Sequence, residues 1–277
     1  MGFFKQLFNF YINSSIHVAL SVYALSRMTL LNYGLPYDEP VLYFNFYATI
    51  TGYNFVKYFG IAKFYHKSLT QWLRLIQLFS LLCFLLMFYY VVQLTQETLY
   101  YISIFATLTF LYAIPFLPQQ TFLDKHKNLR SIKGLKIYLI ALIWTGVTVL
   151  LPLINNKVLF NVDVLISFVQ RFLFVFALML PFEIRDLKRD DLKLSTIPQV
   201  LGIYKTKIIG GFVLLTICIL QFFKNTNSPA FSLILVLIML LTFLLILISK
   251  KEQRLYFSSF FVEGIPIIWC LIVCFVI

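Results

Sequence analysis

Leu180-Pro-Phe-Glu-Ile-Arg-Asp-Leu-Lys-Arg-Asp-Asp-Leu-Lys-Leu-Ser-Thr-Ile-Pro-Gln-Val-Leu-Gly202 closes a long apolar run and holds four of the eleven acidic residues in the chain. Glu183, Asp186 and Asp190 sit at i, i+3 and i+7, which on a helix turns all three carboxylates to one side. Carboxylates gathered at the end of an apolar helix are costly unless they share a cation. A hard divalent ion such as Mg²⁺, bridging to a diphosphate, is one reason to collect such oxygens. The alternative is a solvated acidic helix end neutralised by Arg185, Lys188 and Arg189. The downstream part, residues 195–205, reads as a turn and a short amphipathic helix able to lie over the carboxylates as a lid.

Working outward, apolar runs of spanning length recur from end to end of the 277 residues. Hydrophobic residues make up 61% of the chain and charged residues 12%, a balance that excludes an ordinary soluble domain. The pattern predicts an all-α, polytopic membrane protein of about nine helices: 11–31, 41–59, 73–93, 98–118, 135–154, 158–182, 208–223, 229–249 and 255–277. The seventh is short and borrows length from the loop before it. No low-complexity tract or internal repeat divides the chain, so residues 1–277 form a single transmembrane domain. Cys83, Cys218, Cys270 and Cys274 all fall in apolar helices and read as small core residues rather than as disulfides or metal ligands.

Lys and Arg are distributed unevenly between the two sets of loops. One set carries Lys63, Lys67 and Arg74, then Lys125 to Lys136, then Arg185 to Lys207, then Lys250, Lys251 and Arg254; the other has Lys157 and Lys224. The asymmetry predicts an integral protein of the inner (cytoplasmic) membrane with its basic face in the cytoplasm, the N-terminus inside and the C-terminus outside. The net charge of +12 is then a topology signal that attracts anionic headgroups and anionic substrates, not a nucleic-acid signal.

Two further loops on the basic face are chemically dense. Asn54 and Lys57 stand at i, i+3 near the end of the second helix, flanked by Tyr53 and Tyr58. They either line a cavity and meet an anion, or Lys57 snorkels to the interface within an aromatic belt. After the fourth helix, Tyr112 precedes Pro115 and Pro118, and Lys127, Arg130 and Lys133 recur every three residues. Such a run grips phosphate oxygens, with Arg130 offering paired donors, or simply marks the cytoplasmic side. His126 beside Asp124 has no nucleophile in readable relation to it, so no hydrolase triad is indicated. Three charges fall inside helices: Arg27, Arg171 and Glu263. Arg171 must face the bundle interior, and either it forms a buried ion pair, with Glu263 as partner, or it meets the substrate.

Together these residues resemble the UbiA superfamily of intramembrane prenyltransferases over nearly the whole chain. Glu183-Ile-Arg-Asp-Leu-Lys-Arg-Asp190 followed by Thr196-Ile-Pro-Gln-Val-Leu-Gly202 is similar to that family's second aspartate-rich motif, with Glu183 in place of its first Asp. The stretch from Tyr112 to Pro118 and the basic run after it resemble the family's Tyr and Lys/Arg region. The family's first motif reads Asn-Asp-x-x-Asp. Here Asn54 is kept, Phe55 and Tyr58 stand at the Asp positions, and no carboxylate occurs between Glu39 and Glu97.

The resemblance implies transfer of an isoprenyl group from a prenyl diphosphate to an aromatic or lipidic acceptor, with membrane lipid around the prenyl tail. Glu183, Asp186 and Asp190 would be the Mg²⁺ ligands, with fewer ions than in members holding both motifs. Asp186, Asp190 and Lys57 would be catalytic, and Asn54, Tyr112, Lys127 and Arg130 would bind substrate. Lys57 either replaces one Mg²⁺ directly or pairs with Asp186 or Glu183 and closes the site. The second option makes the chain a non-catalytic UbiA-like protein that binds an isoprenoid lipid or scaffolds a membrane complex. A transporter is disfavoured because no repeated pair of broken helices is visible.

Overall fold

The computed structural model describes residues 2–64, 71–113, 134–188, 194–225 and 228–276, and every element among them is a helix. In chain order these are α1 (Phe3–Asn13), α2 (Ile16–Asn32), α3 (Glu39–Phe64), α4 (Gln71–Val91) and α5 (Gln96–Ala113). They are followed by α6 (Leu135–Asn155), α7 (Val162–Asp186), α8 (Ile197–Gln221), α9 (Pro229–Ile248) and α10 (Phe257–Val276). α6 contains a π-helical stretch, Gly146–Leu150, and α10 opens on another, Phe257–Val262.

Local chemistry sets the helix starts. Asn161 caps α7 by accepting from the Val164 N–H at 2.9 Å, with Asp163 in the first turn where the helix dipole favours an anion. Thr196 and Gln199 form a reciprocal capping box at α8, and the Thr196 N–H donates to Gln199 Oε1 at 2.9 Å. Proline in the first turn of α8 and α9 leaves no helical hydrogen bond unmade.

Six helices are long and apolar enough to cross a membrane: α4 from Trp72, and α6 through α10. The remaining three predicted spans are occupied by α1–α2, α3 and α5, which fall short of that measure. Their apolar stretches are broken or carry polar groups such as Asn45, Asn54, Lys57 and Glu97. The best apolar window of α7 is 67% buried against 11% for α4, so α7 is central and α4 peripheral. Leu78, Leu81, Leu82 and Leu85 accordingly leave the protein on the face where lipid chains replace water. The main core joins α2 (Val22, Leu25) to α6 (Ala141, Trp144), α7 (Phe174, Leu180) and α10 (Trp269, Val273). At the end away from the basic loops, Asn155 and Asn156 each donate to Asp38 Oδ2 at 2.7 Å and tie α6 to the start of α3.

Two predicted helices differ from the sequence reading for identifiable reasons. The first span is broken at Ser14–Ser15, where Ser15 adopts a left-handed backbone with φ 64°. The freed Ser14 carbonyl finds the Asn54 amide at 3.0 Å, so a polar residue on α3 satisfies a joint that an apolar count reads as continuous helix. The short seventh helix is the larger part of α8. The expected loop and lid segment is continuous with it, bent at Gly202, whose φ of 79° is open to glycine at no steric cost. A further glycine, Gly146, lets α5 approach α6: a Cβ there would stand 2.0 Å from the Phe105 ring.

Candidate functional site

At one end of the bundle α3 and α7 finish, α6 and α8 begin, and the α1–α2 joint meets them. Glu183 and Asp186, one turn apart on α7, face the same cation. Lys136 Nζ lies 3.2 Å from Glu183 Oε1 and 3.9 Å from Asp186 Oδ2. Arg185 closes on Asp186 from its other side, with Nε 2.8 Å from Oδ1 and Nη2 3.4 Å from Oδ2, and lies over the Phe182 ring. Glu183 is 2% exposed, so this is a desolvated ion network and not a solvated helix end. A water-sized void of about 10 Å³ sits beside it, bounded by Gly134, Lys136, Glu183 and Thr196.

Across from this network, Lys57 Nζ donates to Ser15 Oγ at 2.8 Å, and Ser15 Oγ donates in turn to Asn54 Oδ1 at 2.8 Å. The Asn54 amide also donates to Ser80 Oγ at 2.7 Å, so its hydrogen bonds are spent on binding the α1–α2 joint to α3 and α4. Lys57 and Glu263 feel each other's charge, and Glu263 also feels Arg185. Glu263 thus lies within electrostatic reach of both sides. Gln253 strengthens the same junction by donating to the Pro181 carbonyl at 2.8 Å, while Ser258 donates to Gln253 Oε1. Tyr53 accepts from Trp144 Nε1 at 2.9 Å and shares its surroundings with Glu263 and the buried Tyr112.

Of the residues singled out in the sequence, the structure joins Glu183 and Asp186 through Lys136, and sets Lys57, Asn54 and Tyr112 around the same end. Asp190, Lys127 and Arg130 lie outside the described residues. Glu263 does not partner Arg171, contrary to expectation. Arg171 donates to the Leu25 carbonyl at 2.9 Å and to the hydroxyls of Thr148 and Thr29 at 3.3 and 3.4 Å. Nor is Lys57 the cation on Glu183: that place belongs to Lys136. Lys136 carried a readable signal, since a cation in the first turn of a helix opposes the dipole and needs an anion to justify it. Glu263 carried another, as the sole acid in residues 253–277.

The described carboxylates do not by themselves fit a Mg²⁺ ion. Glu183 and Asp186 share an ammonium where a metal would sit, and no group of three His, Cys, Asp or Glu side chains gathers among the described residues. The charge at this end is offset by Lys57, Lys136 and Arg185 instead. Near the same end, the exposed Glu252 takes a hydrogen bond from Lys188, which holds its carboxyl below the usual range.

This is a polytopic helical membrane protein with a UbiA-like fold. A solved structure of digeranylgeranylglyceryl phosphate synthase in membranes is similar to it with a TM-score of 0.57, covering 98% of this chain and 96% of that one. Sequence identity between the two is 16%, so the likeness is one of fold. No family model and no curated protein matches the sequence.

Proposed function

We propose that this chain is a prenyltransferase-like membrane protein that binds a prenyl diphosphate at the basic end of the bundle and transfers its isoprenyl group to an aromatic or lipidic acceptor. The observation that carries the reading is the gathering of Lys57, Lys136, Arg185, Glu183, Asp186 and Glu263 at one end of a UbiA-like bundle, with Lys136 between Glu183 and Asp186 and Arg185 paired with Asp186. As the C–O bond of an allylic diphosphate breaks, the leaving group gains negative charge and the prenyl carbon positive charge. Ammonium and guanidinium groups offset the first, Lys136 from a largely buried position and Lys57 and Arg185 from more exposed ones. Aromatic faces such as Tyr53 and Trp144 steady the second. The acceptor then bonds to that carbon and gives up a proton. The neighbour's name, a synthase of a geranylgeranylated glyceryl phosphate, supports a lipidic acceptor and a membrane-held tail.

The test is calorimetric titration of the purified protein with a prenyl diphosphate, with and without Mg²⁺, followed by transfer assays with labelled donor. Saturable binding that persists at low Mg²⁺, followed by transfer, is the expected result. Absence of binding under both conditions would move the chain to the non-catalytic reading.

The same proposal sets the basic end in the cytoplasm, where the basic loops would attract the anionic diphosphate head of an amphiphilic donor. With Cys274 replaced by Ser, cysteines introduced at Lys251 and Leu159, both exposed, should label from opposite sides of the membrane. Labelling of both from one side would overturn the orientation.

A further inference from the structure

A second polar cavity lies far from the site just described. Arg171 and Glu183 are twelve residues apart on α7, about 18 Å along the helix axis. The cavity measures about 50 Å³ and is bounded by α2, α7, α8, α9 and α10 near the end opposite the basic loops. Two cations line it. Arg171 is 9% exposed and Lys224, just past the end of α8, is 8% exposed.

Neither cation has a carboxylate within 4 Å among the described residues. Arg171 spends its hydrogen bonds on a carbonyl and two hydroxyls, with its guanidinium 6.0 Å from the Trp269 ring. The Lys224 ammonium makes no hydrogen bond among the described residues. The nearby acid, Asp163, is held by the backbone and side-chain amides of Asn225 at 3.1 and 3.2 Å. The Gln170 amide is likewise committed, to the Ile217 carbonyl and to Gln221. Counting Asp163, the cavity keeps an excess of one positive charge on largely buried residues, which is costly unless an anion shares it. Phe231 and Leu235 make the α9 wall apolar.

We propose that this cavity is an oxyanion site that takes one negative headgroup, carboxylate or phosphate, of an amphiphile whose chain lies along Phe231 and Leu235. The volume suits a single such headgroup or the few waters it would displace. Burial, reinforced by Arg171 and opposed by Asp163, brings the Lys224 ammonium down to about 8. Binding therefore weakens as pH rises through that value, while Arg171, whose delocalised guanidinium is not deprotonated in proteins, keeps its charge; burial raises the Tyr33 hydroxyl, also on the cavity wall, above its ordinary value and keeps it neutral.

The test uses the full chain in phosphatidylcholine nanodiscs, titrated with phosphatidylglycerol or with inorganic phosphate while the unfolding temperature is followed. Phosphatidylglycerol should raise that temperature saturably at pH 7. The half-saturating amount should rise at least tenfold in Lys224→Gln, and should return towards wild type in Lys224→Arg. At pH 9.5 the wild type should bind several-fold more weakly and Lys224→Arg should be unaffected. Stabilisation by phosphate alone would assign the site to a free anion; stabilisation by the lipid alone would assign it to a headgroup. Lys224→Gln serves because Arg171 also holds the Leu25 carbonyl and its loss endangers folding. Without added anion, Lys224→Gln should unfold at the same or a higher temperature. A lower temperature would mean that the protein already neutralises Lys224 and would overturn the proposal. So would an equal response to phosphatidylcholine and phosphatidylglycerol, no response to either anion, or an unchanged midpoint in Lys224→Gln.

Discussion

Lys136→Met should destabilise the protein by about 3–5 kcal/mol, the range for stripping one partner from a buried ion pair. Glu183, 2% exposed, would lose the ammonium at 3.2 Å, and Asp186 would keep Arg185 as its cation among the described residues. The loss measures the cost of removing this cation from a buried carboxylate and not the net worth of the pair. Lys136→Met combined with Glu183→Gln should therefore recover most of it, because the charge to be solvated has gone. Lys188→Ala is the matched control. Its pair with Glu252 is 50% and 81% exposed, where solvent screens the attraction and little stability is at stake. What that pair does give is present above the carboxylate's unfolded value and disappears as pH falls through its lowered one. Denaturant unfolding in detergent reads all four proteins. Wild-type stability in Lys136→Met would show that the network is not desolvated as described.

The second large effect concerns ligand binding. If Lys57 meets a diphosphate oxygen, Lys57→Ala should weaken prenyl diphosphate binding roughly ten- to hundredfold, the worth of one hydrogen bond to a charged group. Lys57 reaches Ser15 Oγ in the structure, so Ser15→Ala separates charge from local support. It removes a neutral partner, leaves the ammonium in place, and should change affinity far less than Lys57→Ala. Identical affinities for wild type and Lys57→Ala would remove Lys57 from the binding site. Unfolding curves for each variant separate a binding loss from a folding loss.

Helix positions were legible where hydropathy and punctuation agree. Residues 229–249 were readable because Ser228-Pro229 opens a run without charges and Lys250 closes it, and α9 ends at Ile248. The acidic run was legible as a cluster facing one side, but part of it was placed in a loop. Glu183 and Asp186 lie inside α7, which runs to Asp186 because Lys136 and Arg185 neutralise its last turn. Cross-helix pairing was not legible from composition. Arg171 and Glu263 were matched as charges within helices, yet Arg171 lies fifteen residues from the basic end of α7 and Glu263 six residues from the start of α10. That is a difference in depth of about 13 Å, which counting along each helix would have exposed. The serine joint before α2 was opaque for a different reason: its partner, Asn54, comes from a part of α3 that carries its own motif-like reading.

The bend at Gly202 bears on how the protein fits the thickness of its bilayer. A straight α8 of 25 residues would be about 37 Å long, several ångströms more than a hydrocarbon layer of about 30 Å. Breaking it after Leu201 leaves residues 203–221, about 28 Å, to cross. The five residues before the bend can then turn out of the crossing direction, with Val200 and Tyr204 on either side of it facing outward. One glycine thus matches the helix to its solvent slab without tilting the bundle or thinning the lipid around it.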